Sequence, residues 1–215
     1  MSRSEHVAAF LSAVDLSLEL AARPEVGDAW ERESSCAGMT VGGLTHHLLG
    51  QARNSVGLLQ AQLPASAPVI RLAEHYERAS WVRDSQNGQP DPEQTDQDNE
   101  GALAGHAAVL AAGAAAAQAL PGLLAEPRDP DVVFISWQGW ALPTHDYLTT
   151  RMMEMVVHGD DLASSVGLDS PSYPDGVAGP VLELLTGVAV RRHGLTDVVR
   201  ALSRPQRAPR SISAF

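Results

Sequence analysis

The stretch Arg151-Met-Met-Glu-Met-Val-Val-His-Gly-Asp-Asp-Leu162 concentrates the side chains able to do chemistry. At about 100° per residue, Tyr147, Arg151, Glu154, His158, Asp161 and Ser165 share one narrow helical arc. Leu148, Met152, Met153, Met155, Val156, Val157, Leu162 and Val166 cover most of the remainder. This inverts the ordinary surface helix, in which the apolar part is the stripe. The polar stripe therefore either looks out through a slot to solvent or lines an internal cavity. Glu154 and His158 are i and i+4, so a carboxylate and an imidazole can converge on a single ion. A solvated Glu/His pair has the same spacing, and a metal centre needs a third ligand from elsewhere.

A second helix, expected over residues 40–62 with Thr40 as N-cap, offers one. Val41, Leu44, Leu48, Ala52, Ser55 and Leu59 set its buried face. His47 lies at the edge of that face in line with Gln51, Asn54 and Leu58, whereas His46 points about 160° away from its centre. His46 is expected in solvent. A lone histidine at such an edge is equally a hydrogen-bonded core residue, so His47 needs a partner before it becomes a ligand.

The elements that must position these groups are helical. Apolar spacing gives a first helix over 4–22 ended by Pro24, and a short third helix over 69–85. An alanine-dominated helix over 101–120 is closed by Pro121-Gly122, and the polar-striped helix runs from Pro143-Thr144 to Gly167. Residues 25–39, with Trp30 and Cys36, are expected to pack over the bundle end. Residues 86–100 are rich in Asp, Gln, Pro and Asn, which describes a mobile loop or the frayed start of the next helix. Residues 132–137 are β-branched and aromatic, so a short extended segment is expected there. Two further helices, 177–192 and 196–203, precede a basic tail. The fold class is therefore mainly all-α: a four-helix bundle over 1–168 with a small C-terminal helical extension over 169–215.

Composition removes several chemistries. A net charge of −11 disfavours nucleic acid and anionic membranes as general partners. No uncharged apolar run is expected to span a bilayer, and nothing at the start resembles a signal peptide, so a cytoplasmic setting is expected. Every basic residue is arginine, which excludes Schiff-base catalysis, pyridoxal-phosphate anchoring and the Walker A lysine. Cys36 is the only cysteine, so a disulfide framework or a cysteine-built zinc site is excluded within one chain. Arginine in place of lysine, with abundant alanine, suggests a GC-rich bacterial genome.

Taken in order, Cys36-Ala-Gly-Met-Thr-Val-Gly-Gly-Leu-Thr-His-His-Leu48 and the Arg151 to Leu162 motif resemble the actinobacterial mycothiol-dependent maleylpyruvate isomerase family of the DinB-like superfamily. The resemblance covers roughly residues 5 to 168. It implies His47, Glu154 and His158 as ligands of a divalent metal, zinc first, with nickel, manganese or iron able to use the same set. Asp161 is then expected to orient an imidazole, and Arg151 to pair with Glu154 or anchor a substrate carboxylate. The alternative for both is simple solvation of the stripe. Two aromatic positions of the family pattern are replaced, by Met39 and Asp160, and residues 169 to 215 are too few for the C-terminal domain of the complete isomerases. The implied function is a metal-dependent isomerase or S-transferase that uses mycothiol as cosubstrate on a small electrophile, as a monomer or homodimer. The alternatives are a metal-dependent hydrolase and a non-enzymatic helical binding module.

Overall fold

The computed structural model describes residues 1–79, 82 and 92–215. Helix α1 (Arg3–Ala21) begins on a capping box, in which Ser2 and Glu5 satisfy each other's backbone N–H groups. A short α2 (Pro24–Asp28) starts on the proline expected only to stop α1. Helix α3 (Val41–Gln60) starts on Thr40, whose hydroxyl accepts from the Gly43 N–H at 2.9 Å, and all six residues of its expected core face are buried. Then follow α4 (Leu72–Arg78), α5 (Pro92–Ala102), α6 (His106–Ala125), β1 (Val132–Ile135), β2 (Trp140–Pro143), α7 (Thr144–Val166), α8 (Asp175–His193) and α9 (Leu195–Ser203). The fold is mainly all-α, as the periodicity predicts.

One hydrophobic core joins α1 (Phe10, Val14), α3 (Leu44, Leu48), α6 (Leu120, Leu124), α7 (Leu148, Met152, Met155, Leu162) and α8 (Val177, Val181, Leu184, Val188). Each of these large side chains contributes roughly 1.5–3 kcal/mol by leaving water. Residues 169–174 lead into α8, which packs on α1 and α7.

Several expectations are refined or corrected. Of the two readings of residues 86–100, loop or start of the next helix, the helical one is closer for 92–100: they form a separate helix, α5, which packs along α3. Residues 86–91 lie outside the described residues. Residues 68–70 are extended rather than helical: Ile70 donates to Ala141 O and Ala141 to Pro68 O, as suits β-branched Val69 and Ile70 after a proline. The remainder of the expected 69–85 helix shortens to α4, its later residues lying mostly outside the described set. The extended segment at 132–135 has an antiparallel partner, with Val132 opposite Pro143 and Ile135 opposite Trp140. Helix α6 continues through Pro121 because buried Leu120 and Leu124 hold its last turn on the core. It is also, by length and composition, apolar enough to cross a membrane, contrary to the sequence expectation, although it packs along α3 and α1.

The hairpin fixes where α7 begins. Thr144 donates its N–H to Asp131 O (3.0 Å) and its hydroxyl to Asp131 Oδ1 (2.7 Å), tying the first turn to the residue that leads into β1. At the other end Gly167 takes a left-handed conformation, φ 72°, and closes the helix.

Candidate metal centre

The inverted stripe of α7 is satisfied by an antiparallel ladder along α3 and the 34–36 loop. Tyr147 meets Ser55 (2.9 Å), Arg151 Nη1 donates to Gln51 Oε1 (2.6 Å), and Glu154 Oε2 lies 3.9 Å from His47 Nε2. Further along, Cys36 Sγ is 3.5 Å from Asp161 Oδ2, and Ser165 Oγ accepts from the Ser35 N–H at 2.9 Å. The α3 partners, 47, 51 and 55, are four apart and so share one face. The stripe is not sealed: His47, Glu154, His158 and Asp161 stay partly open to solvent. It zips onto a matching polar row, at the cost of burying groups that must all find partners.

At the centre of the ladder, His47 and His158 stand edge to face, ring centroids 4.7 Å apart and planes at 85°. Glu154 Oε2 is 3.3 Å from His158 Nε2. Each imidazole is held at its other nitrogen by a carboxylate: His47 Nδ1 by Asp98 Oδ2 at 2.8 Å, His158 Nδ1 by Asp161 Oδ2 at 3.0 Å. With the neutral rings' protons on Nδ1, both Nε2 lone pairs are left for a ligand role, and both lie beside Glu154. His47, Glu154 and His158 each offer a ligand atom, all within 4.8 Å of one another. Donors around a tetrahedral zinc stand about 3.4 Å apart, so the 3.3 and 3.9 Å separations need little adjustment. The chemistry and tautomers of this donor set fit a divalent cation. Among the described residues a second group, Cys36, His158 and Asp161, meets the same proximity test on the opposite edge of His158.

Electrostatics follow from this crowding. Burial acts to raise the Glu154 carboxyl, but bonds from His158 and His47 and the charge of Arg151 hold it well below the usual range. Burial acts to lower His158, yet Asp161, Cys36 and Glu154 hold it well above the ordinary imidazole value. His47 is raised in the same way, burial being overcome by Asp98 and Glu154. His75 behaves oppositely. Buried, accepting from Trp140 Nε1–H at 3.1 Å and feeling Arg151, it is pushed down to about 4.

The expected pairing of Arg151 with Glu154 is not among the ion pairs of the described residues. Its guanidinium is held instead by Gln51 and by Thr150 Oγ1 (3.0 Å), with Tyr147 beneath it at 5.7 Å. His46 is not in solvent: α5 covers it, and its Nδ1 bonds Asp98 Oδ1 at 2.7 Å. Asp98 and Gln51 are the site residues that sequence reasoning missed. Gln51 had been aligned with His47 by the helical projection, which was a usable signal. Asp98 lies in a stretch whose composition leaves loop and helix start equally open. Cys36, expected only to pack over the bundle end, lies beside His158 and Asp161. Of the replaced family aromatics, Met39 is buried in the core and Asp160 is exposed, accepting from Ser170.

Two carboxylate-held imidazoles and a glutamate thus meet from two antiparallel helices of one bundle, a donor set of the kind that bundle cores can offer to a metal. The profile described as the mycothiol maleylpyruvate isomerase N-terminal domain matches residues 10–163, and the chain belongs to that family, whose members are metal-binding and mycothiol-associated. No curated protein and no solved structure matches the chain.

Proposed function

We propose that the chain is a metal-dependent catalyst that uses a low-molecular-weight thiol, mycothiol by family, as an isomerase or S-transferase on a small electrophile in the cytoplasm. The observation carrying this is the convergence of His47 Nε2, His158 Nε2 and Glu154 Oε2, with both imidazoles held at Nδ1 by carboxylates. A divalent ion held there, zinc first, supplies positive charge that keeps a thiol sulfur as thiolate near neutral pH. Three protein ligands are the catalytic rather than the structural complement.

Around that centre the chain's own groups divide the work. Asp161 holds the His158 proton at Nδ1 and fixes the ring. Arg151, steadied by Gln51 and Thr150, presents a fixed cation beside Glu154 that can anchor an anionic group of the electrophile. Addition of the thiol sulfur to the electrophilic carbon, bond rotation and loss of the same sulfur give an isomer. Retention of the carbon–sulfur bond, with a proton taken up where the displaced electron pair resides, gives a transferase product.

The test is metal content per chain of the wild type against His47→Ala and His158→Ala, followed by activity with and without added thiol. Both substitutions are expected to lower occupancy while helical content stays. Wild-type protein that takes up no zinc overturns the proposal, and activity without thiol assigns the centre to hydrolysis by activated water instead.

A further inference from the structure

We propose that Asp98 is a positioning residue of this centre: one buried carboxylate on α5 that locks the tautomer and orientation of His47 and is itself braced by the neighbouring His46. The inference rests on the metal reading above and extends it to an element that the α3 and α7 motifs do not include.

Asp98 is only 4% exposed. A carboxylate so buried is costly unless its lone pairs are filled. Here three donors fill them: His46 Nδ1 at 2.7 Å on Oδ1, His47 Nδ1 at 2.8 Å and Gln94 Nε2 at 2.7 Å on Oδ2. These bonds hold the Asp98 carboxyl well below its ordinary range, although burial acts to raise it. An ionised carboxylate is an acceptor only, so each imidazole that meets it must carry its proton on Nδ1. For His47 the consequence is specific, because the nitrogen then stripped of its proton is the one beside Glu154 and His158. Gln51 reinforces the arrangement. Its Oε1 is taken by Arg151, so its amide NH₂ turns to the His47 side and donates to the His47 carbonyl oxygen at 3.2 Å; standing 3.3 Å from Nε2, that NH₂ is compatible only with an unprotonated Nε2.

His46 contributes differently. Its ring lies under α5 against Gly101, and its bond occupies the oxygen of Asp98 that His47 does not use. Adjacent histidines on α3 thus divide the two oxygens of one carboxylate, one ring pointed to the centre and the other bracing the acceptor. The arrangement mirrors Asp161 on His158, so each imidazole has its own carboxylate, one local on α7 and one delivered by α5. Such partners of metal-binding imidazoles are worth about 10–100-fold in metal affinity.

The experiment measures zinc affinity by chelator competition in wild type, Asp98→Ala, Asp98→Asn, His46→Gln and Asn99→Ala. The last variant removes a separate α5 bond to the start of α3, in which Asn99 Oδ1 accepts from the Thr40 N–H (2.9 Å) and Oγ1–H (3.1 Å), and leaves His47 untouched. A metal-free arm reads the His47 tautomer from imidazole ¹⁵N shifts at a pH where the ring is neutral. Asp98→Ala is expected to weaken zinc binding about 10–100-fold and to release the His47 proton from Nδ1. Asp98→Asn keeps an acceptor oxygen on the Gln94 side, so it folds and loses less; His46→Gln stays within about threefold of wild type. Asn99→Ala is expected to lower stability without changing affinity or tautomer.

Equal losses of affinity in Asp98→Ala and Asn99→Ala, or an unchanged His47 tautomer in Asp98→Ala, overturn the inference by reducing Asp98 to a clamp between helices. Wild-type protein that binds no zinc refutes the proposed function, and the tautomer arm still decides for or against Asp98.

Discussion

Gly101→Ala tests whether α5 truly lies on the centre, because two effects of opposite sign compete there. Near the end of a helix, replacing glycine by alanine ordinarily stabilises by roughly 0.5–1 kcal/mol. In this fold a Cβ at 101 would overlap Nε2 and Cε1 of His46 and stand 2.7 Å from Cδ2. The neighbour is an aromatic ring held by Asp98 rather than the loose end of a flexible chain, so it yields only by giving up that bond. Overpacking costs roughly 1–3 kcal/mol, and a lost hydrogen bond to a charged group roughly 1.5–3. Set against the intrinsic gain, the net expectation is a loss of roughly 1.5–5.5 kcal/mol. Urea denaturation of wild type, Gly101→Ala, His46→Ala and the double variant measures it. With the ring removed the collision vanishes, so Gly101→Ala in the His46→Ala background is expected to become stabilising by about 0.5–1 kcal/mol. A Gly101→Ala protein more stable than wild type, with no coupling to position 46, would show that α5 does not rest on His46.

Other expectations concern pH, core and cap. In the metal-free protein His47 and His158 are raised, so their stabilisation is complete below about pH 6.5 and is lost as pH rises through their folded values. Glu154, Asp98 and Asp161 are lowered, so theirs is present above about pH 4.5 and is lost as pH falls toward the folded values. His75, at about 4, acts against the other two imidazoles: its contribution is full above about 6.5 and declines on acidification. The metal-free melting temperature is thus expected to peak near about pH 6. Zinc should move that peak upward, since it takes imidazoles without their protons, and a peak that zinc leaves in place contradicts the assignment of ligands. Met152, wholly buried between the helices, should cost roughly 2–5 kcal/mol on truncation to alanine, read by the same denaturation. Thr40→Ala removes the α3 cap and one bond to Asn99, and a loss of about 1–2 kcal/mol is expected; no change would mean the cap is replaced by water.

Much of this protein follows from short-range periodicity. The four long helices, the Thr40 cap, the buried face of α3 and the inward turn of His47 are properties of residues within two or three turns of one another, where the 3.6-residue repeat acts directly. The same repeat puts Glu154, His158 and Asp161 on one edge of α7, and the family motif points to His47 as the proposed third ligand. The sequence could state the inversion of the α7 stripe without saying what met it. That was decided by tertiary structure, which laid Ser55, Gln51, His47, Cys36 and Ser35 against the stripe in antiparallel order.

The largest departure is α5. By composition residues 92–100 are polar and weakly helical, so local propensity alone leaves them undecided between a loop and the start of the next helix. They form a helix because α3 offers two imidazoles and a capped first turn to Asp98 and Asn99, contacts about fifty residues distant along the chain. The same distance explains His46. Helical projection correctly placed it off the core face of α3, but whether that direction leads to water or to another helix depends on where α5 comes to lie, which no local pattern in α3 encodes.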